Sequence, residues 1–305
     1  MSYQAVLMIA FGGPDKAAEI RPFLEHVTAG RPITKERFES VAGHYEKIGG
    51  RSPLVELTNE QAVALATALE QRGEPLPVEI GMRHSKPFLK DVLESLEKAG
   101  KKRVLGLVMA AHQTEASGGR YKLAVTAALT ELGSRAPTVD YVGPWPTHLG
   151  FVQANAERIE EVRSTLPADR RTEIPILFTA HSIPVAMAQG SPYVAQVEAT
   201  AAAVAKLLGH RRYKVCYQSR SGRPGDPWLE PDINDALRTE HRTGVRDVIV
   251  APIGFVCDHV EVLYDLDVEA TDTARSLSMR LHRAKTVGSH PAFIGALADA
   301  VQRCL

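Results

Sequence analysis

The feature of this chain that most restricts its fold is a regular alternation of short apolar runs with stretches of helical periodicity. The runs fall at 5–11, 77–82, 103–109 and 138–142, then at 175–179, 213–218, 248–251 and 284–287. Bounded by Gly, Pro and polar clusters, they read as strands buried on both faces. Between them, Thr58-Asn59-Glu60-Gln61 has capping-box form and predicts a helix start, with Ala62, Leu65, Ala66 and Leu69 on one face. Ser191-Pro192 predicts an N-cap followed by proline in the first turn, with Val194, Val197, Ala201, Val204 and Leu208 as the buried stripe. Such alternation predicts parallel sheets covered by helices. Four runs per half predict an α/β fold of two similar doubly wound domains, with a cleft between them as the default ligand site. Gly143-Pro144-Trp145-Pro146 is the expected crossover, and a last helix from Pro291 to Cys304 is expected to return to the first domain. The domains are thus expected at 1–145 plus 290–305, and at 146–289.

Composition removes several function classes. The 305 residues suffice for two domains, and 36 basic residues balance 36 acidic ones, without the basic excess of a nucleic-acid protein. The first apolar run, seven residues ending at Gly12-Gly13-Pro14, is too short for a signal-peptide core or a membrane span. A cytoplasmic protein without a transmembrane segment is expected. Phe11-Gly12-Gly13-Pro14 lacks the third glycine of a dinucleotide fingerprint and any P-loop lysine, which argues against a nucleotide. Cys216, Cys257 and Cys304 are too few for a four-cysteine cluster and are spaced unlike zinc pairs.

The chemistry-bearing residues concentrate at the ends of the later strands. His181, in Phe178-Thr179-Ala180-His181-Ser182-Ile183-Pro184, follows one apolar run and is held by a proline-stiffened turn. Its imidazole suits a proton acceptor at neutral pH. After the 248–251 run come Glu261, Asp265 and Glu269 at four-residue intervals, then Asp272. Four helical residues turn through ~400°, so this row drifts by ~40° per step yet keeps to one broad face. A π-bulge would align it further. Like charges at this spacing repel, and no Lys or Arg interrupts residues 258–272. A solvated acidic face is the plain explanation; a hard divalent cation as compensation is the sharper one. The loop from Tyr217 to Asp232 reads either as an anion site through Arg220 and Arg223 or as packing anchored by Trp228. His84 and His112 also follow strands and read equally well as packing residues. Tyr45-Glu46-Lys47-Ile48-Gly49-Gly50-Arg51-Ser52-Pro53-Leu54 reads as a pocket lip or as a plain turn.

These segments, taken in order, resemble the ferrochelatases, the metal-inserting enzymes of haem synthesis. The resemblance runs nearly end to end and is most specific in Phe178–Pro184 order, in Gln218-Ser219-Arg220, and in Gly254-Phe255-Val256-Cys257-Asp258-His259-Val260-Glu261. It implies two Rossmann-like lobes around a porphyrin. It matches His181 and Glu261 to the pair at the metal-insertion face, with Asp265 and Glu269 as the acidic row leading away. Phe11 falls where some members place a tyrosine or methionine against the opposite face of the macrocycle, and it cannot ligate iron. Ser52 and Tyr121 match positions that hold propionates in compact bacterial members, and Arg31 and His44 are further donors for the pocket rim. Thr28-Ala29 stands where some members carry an arginine pair. The implied substrates are Fe²⁺ and protoporphyrin IX or coproporphyrin III, with two protons released. No cofactor is required by the resemblance, and the cysteine set of members with an iron–sulfur cluster is missing. Transient docking to a membrane or a partner protein is compatible with it. A related chelatase for cobalt or nickel, and a non-catalytic porphyrin carrier of the same fold, stand as the alternatives.

Overall fold

The computed structural model describes residues 2–30, 33–222 and 225–305. The chain divides into two compact units, one of Met1–Ala110, Ala116–Gly143 and Ile294–Leu305, the other of Ala111–Glu115 and Pro144–Phe293. The division after Gly143 falls at the Gly-Pro-Trp-Pro turn, two residues before the expected boundary, and the return to the first unit comes at Ile294 instead of 290. The segment Ala111–Glu115 joins the second unit, which no local pattern announces.

The first unit contains β1 (Ala5–Ala10), β2 (Val78–Met82), β3 (Arg103–Val108) and β4 (Thr138–Tyr141), hydrogen-bonded in the order β2-β1-β3-β4. In the second, β5 (Ile176–His181), β6 (Tyr213–Gln218), β7 (Asp247–Ala251) and β8 (Arg280–Arg283) form the order β6-β5-β7-β8. Every pairing is parallel. The two halves therefore repeat one topology. In each, the chain runs outward from the first strand in one direction, then crosses back to the other side. That reversal, between β1 and β3 and between β5 and β7, is the switch point outside which open α/β sheets bind ligands.

Successive strand residues point to opposite faces, so both faces of each sheet need cover. In the second unit Ile176, Phe178 and Ala180 pack with the helices Leu149–Ser164 and Tyr193–Leu207. Leu177, Val248 and Val250 pack instead with the helix Ile233–Arg242 and with residues 262–274. In the first unit Ala5, Leu7 and Ile9 meet the helices Leu89–Lys98 and Arg120–Leu132. Helices on both faces make each unit a Rossmann-like, doubly wound domain, as the alternation predicted.

Two local expectations are corrected. The helix containing Thr58 starts at Leu54, and the Thr58 hydroxyl donates back to the Leu54 carbonyl at 2.7 Å instead of capping a terminus. Ala62, Leu65 and Leu69 are buried on its inner face as expected. The last strand lies at Arg280–Arg283, not at 284–287. Ala284 and Val287 are buried, but in a connection beyond the sheet. The charged edge strand is drawn in by Asp247, whose buried carboxylate accepts bonds from Arg280 and His282.

Candidate active site

β5 ends on His181, whose ring lies beyond the sheet at the switch point. The backbone around it is pinned on several sides. The Ser182 N–H donates to the Gln218 carbonyl at 2.7 Å, and the Ser182 hydroxyl to the Leu229 carbonyl at 2.9 Å. Buried Tyr193 donates its hydroxyl to the His181 carbonyl at 2.8 Å. Burial pushes that phenol pKa up, so it remains a donor. His181 Nδ1 is hydrogen-bonded to the Ser182 carbonyl, which requires a proton on Nδ1 and directs Nε2 toward the site.

Beyond β7 the chain folds back over β5. A Cβ on Gly254 would meet the Cα of Ala180 at 2.6 Å, so only glycine permits this approach. The loop then delivers His259 in extended conformation, a helical turn Val260–Leu263, and a π-helical turn Asp265–Ala270. The bond from Glu269 N–H to the Tyr264 carbonyl, 2.9 Å, is the i→i+5 bond of that wider turn. A π-helical turn, the distortion that would draw the acidic residues further into line, is therefore present within the row. Glu261 is half-buried, Asp265 is buried and Glu269 is exposed, so the row passes through a buried carboxylate and ends at the surface. Asp272 falls outside it, paired with Arg275 at 2.7 Å on the solvated side.

His181 Nε2 stands 3.2 Å from Glu261 Oε1, and His259 Nε2 stands 3.3 Å from Glu261 Oε2. One carboxylate thus sits between two imidazoles. His259 was not singled out from the sequence, and its extended backbone places it beside Glu261 only in the folded chain. Gln218, buried at the end of β6, bonds through Nε2 to the Glu261 carbonyl, and Ser219 bonds through its hydroxyl to Asp265 Oδ2. Ser219 holds φ at +64°, a left-handed conformation that a non-glycine residue adopts at a cost. Neither contact has a local sequence signature. Among the described residues no group of three or more His, Cys, Asp or Glu is arranged to hold a metal ion.

The electrostatics of the row are uneven. Burial alone would discharge His181, but the charge and hydrogen bond of Glu261, the Ser182 carbonyl and Asp265 together raise its pKa to about 9. Glu261 is disfavoured as an anion by burial, yet His181 and His259 hold it well below the usual carboxylate range. Asp265 is pushed up to about 7 by burial and by repulsion from Glu261 and Glu269, against the bond from Ser219.

Phe11, Ser52, His44 and Tyr121 lie in the first unit. Phe11 follows β1, with its ring 4.6 Å from His84 and 6.2 Å from Phe23 between centroids. Ser52 is buried against the same turn, since a Cβ on Gly13 would meet Ser52 Cβ at 2.6 Å, and its hydroxyl accepts from Leu54 N–H at 3.4 Å. His44 lies on the helix Lys35–Lys47, where burial, then Arg37 and Lys47, lower its pKa to about 4. A neutral ring at physiological pH follows, which makes it a hydrogen-bonding group and not a cation. Tyr121 lies in the first turn of Arg120–Leu132, partly buried against the core. Arg31 lies outside the described residues, as does Arg223. The loop after Gln218 is packed: the Trp228 indole fills the space over Gly222, and Arg220 donates to the Asp226 carbonyl at 2.8 Å. His112 is a packing residue, buried against Thr200 at 3.0 Å with its pKa lowered to about 4 by burial.

Two doubly wound parallel sheets of one strand order, with imidazole and carboxylate at a switch point, define a chelatase-like α/β protein. Solved structures agree. SirB from Bacillus subtilis, determined with Fe³⁺, superposes with a TM-score of 0.59 at 11% identity, covering 99% of this chain and 95% of that one. CbiX, described as the terminal enzyme for siroheme biosynthesis in denitrifying bacteria, gives 0.59 at 15% identity over 99% of this chain and all (100%) of that one. At such identities the likeness is one of fold. The family follows from sequence: the ferrochelatase profile matches residues 3–305, and the chain belongs to the ferrochelatase family of metal-chelating enzymes. A coproporphyrin III ferrochelatase of Mycolicibacterium smegmatis is 37% identical over 100% of this chain and 91% of its own length. That of Streptomyces coelicolor is 39% identical over 98% and 84%, and a ferrochelatase of Rhodopirellula baltica 36% over 99% and 86%. The family's role is insertion of Fe²⁺ into a porphyrin in haem synthesis. Among the described residues no helix is long and apolar enough to cross a membrane.

Proposed function

We propose that this protein inserts Fe²⁺ into coproporphyrin III, with His181, Glu261 and His259 at the reacting face and Asp265 and Glu269 as the path for protons and metal. The observation that carries the reading is the His181–Glu261 contact of 3.2 Å, placed at a switch point by two separate strands. The names of the Mycolicibacterium and Streptomyces relatives support the choice of porphyrin.

The balance of the reaction explains the residue types. A neutral porphyrin loses two pyrrole protons as Fe²⁺ loses its water, and no net electron transfer occurs, so no resident redox cofactor is called for. Before metal arrives, Glu261 is ionised and His181 carries the compensating proton. A dication approaching Glu261 takes over that compensation and lowers the pKa of His181, so its Nε2 proton leaves by way of Asp265 and the freed Nε2 accepts a pyrrole proton. Asp265, with its pKa pushed up to about 7, both accepts and releases protons near neutral pH, and exposed Glu269 connects it to solvent. Phe11, Ser52, His44, Tyr121 and Arg31 are assigned to the porphyrin, the polar four to its carboxylates. Anaerobic turnover with Fe²⁺ and each porphyrin tests the reading. Both should be metallated, coproporphyrin III with the larger kcat/KM. A tenfold preference for protoporphyrin IX, about 1.4 kcal/mol in transition-state binding, would reverse the substrate assignment, and turnover limited to one equivalent would make the protein a carrier.

A further inference from the structure

We propose that Arg283 is a positioning residue for metal insertion: its guanidinium ties together the two ends of the segment that carries His259, Glu261 and Asp265, and so sets the spacing of that row. Arg283 ends β8 and is largely buried, with 16% of its side chain exposed. One edge of the guanidinium grips Asp267, from Nε to Oδ1 at 2.5 Å and from Nη2 to Oδ2 at 3.0 Å. The other reaches Asp258, from Nη2 to Oδ2 at 3.2 Å and from Nη1 to Oδ1 at 3.4 Å. Thr286 adds a hydroxyl bond to Asp258 Oδ1 at 3.0 Å. Asp258 immediately precedes His259, and Asp267 lies inside the π-helical turn that Asp265 begins.

A single planar cation therefore spans the segment from outside, anchored to the sheet through the pairing of Arg283 with Val250. The π-helical turn is an uncommon conformation that requires a reason to persist, and a tether fixed to the edge strand supplies one. The same contacts sort the acidic residues. Asp258 and Asp267 are answered by Arg283, and Asp272 by Arg275, while Glu261, Asp265 and Glu269 make up the row. Lysine could not serve in this position, because a point charge on a flexible stem grips one carboxylate at a time. Arg283 itself is assigned no contact with iron or porphyrin.

The inference rests on the proposed site, so Glu261→Gln is measured beside Arg283→Gln, Arg283→Lys and Asp267→Asn. Readouts are kcat and the KM for Fe²⁺ with coproporphyrin III under anaerobic conditions, the porphyrin dissociation constant by fluorescence quenching, and the thermal midpoint. Misplacing a reacting group by about 1 Å can cost about 100-fold in rate, so Arg283→Gln should lower kcat per folded molecule by about 10- to 100-fold. The KM for Fe²⁺ should rise while the porphyrin dissociation constant stays within about twofold of the parent. Arg283→Lys should recover only part of the rate, and Asp267→Asn should lose less than Arg283→Gln. A parental kcat in folded Arg283→Gln overturns the proposal, as does a loss that tracks only the unfolded fraction or that weakens porphyrin binding equally. Should Arg283→Gln not fold, Asp267→Asn decides, because it keeps the Asp258 pair; a parental kcat there overturns the clamp. If Glu261→Gln is fully active, the site reading fails and the clamp falls with it, whereas an inactive Glu261→Gln beside active Arg283 variants removes the clamp alone.

Discussion

Strand β7 begins with Asp247, and the chain leaving its far end delivers Glu261, so one stretch of backbone presents a carboxylate at each end of the second sheet. The two are treated in opposite ways. Asp247 is buried and accepts bonds from Arg280 at 2.7 Å, Arg170 at 2.6 Å and His282 at 3.0 Å. The Arg280 guanidinium, then His282 and Arg170, hold its carboxyl well below the usual range despite burial. At the carboxyl end, the Glu261 carboxylate pairs among the described residues with two imidazoles, and burial, then the charges of two further carboxylates, raise the pKa of Asp265. The first arrangement lowers the free energy of the fold. The second keeps carboxylates in an unfavourable proximity that an incoming cation relieves. Under the proposed function, the amino-side strand end serves stability and the carboxyl-side end chemistry, the end at which α/β sheets bind ligands.

The largest effects should come from the carboxyl end. Glu261→Gln and His181→Ala should each lower metal insertion by about 10²–10⁴-fold, the usual range for loss of a proton-transferring group, with little change in denaturant midpoint. Near-parental turnover in either variant would erase the contrast between the two ends. Asp247→Asn should behave inversely, costing about 2–3 kcal/mol, the worth of hydrogen bonds to a charged group, while kcat per folded molecule is unchanged. Chemical denaturation with parallel assays reads both quantities.

Stability against pH separates the ends by sign. Asp247 titrates lower in the folded than in the unfolded protein, so its contribution is present above the unfolded value of about 3.9 and lost as pH falls below it. Asp265 titrates higher when folded, at about 7, so the native state holds the extra proton and stability declines as pH rises from about 4 to about 7. The advantage of the parent over Asp247→Asn should therefore shrink on acidification toward pH ~3. Asp265→Asn should gain on the parent between pH ~4 and ~7. If the two difference curves slope the same way, the electrostatic contrast is wrong. The smallest effect belongs to Glu269→Gln, which should raise the KM for Fe²⁺ mildly and stabilise the fold by about 0.2–0.5 kcal/mol through relief of repulsion.

Much of this was legible in the chain itself. The apolar runs located seven of the eight strands, because strands buried on both faces must be continuously apolar. The eighth was misplaced since β8 reads Arg-Leu-His-Arg, and its place in the sheet depends on Asp247 far away in sequence. The four-residue spacing of the acidic row, with no cation inside it, picked out Glu261, Asp265 and Glu269 as one face, while the π-helical turn among them emerged with the structure. His259 escaped notice because an isolated imidazole two residues upstream has meaning only once Glu261 is seen between two rings. Tyr193 and Gln218 act through contacts with backbone carbonyls of His181 and Glu261, which no local pattern encodes.

What the sequence determined by itself was set by periodicity and by residue chemistry: alternating elements, parallel sheets, strand-end imidazole and carboxylates, and membership of a family. These properties depend on neighbours a few residues apart, within reach of local sterics and patterning. The tertiary structure decided which charges meet. It joined Arg283 to Asp258 and Asp267, gave Asp247 two guanidinium partners and an imidazole, and set His181 Nε2 3.2 Å from a carboxylate eighty positions along the chain. Coulombic and hydrogen-bond energies depend on distance and burial, and both quantities come into being only when the strands are paired.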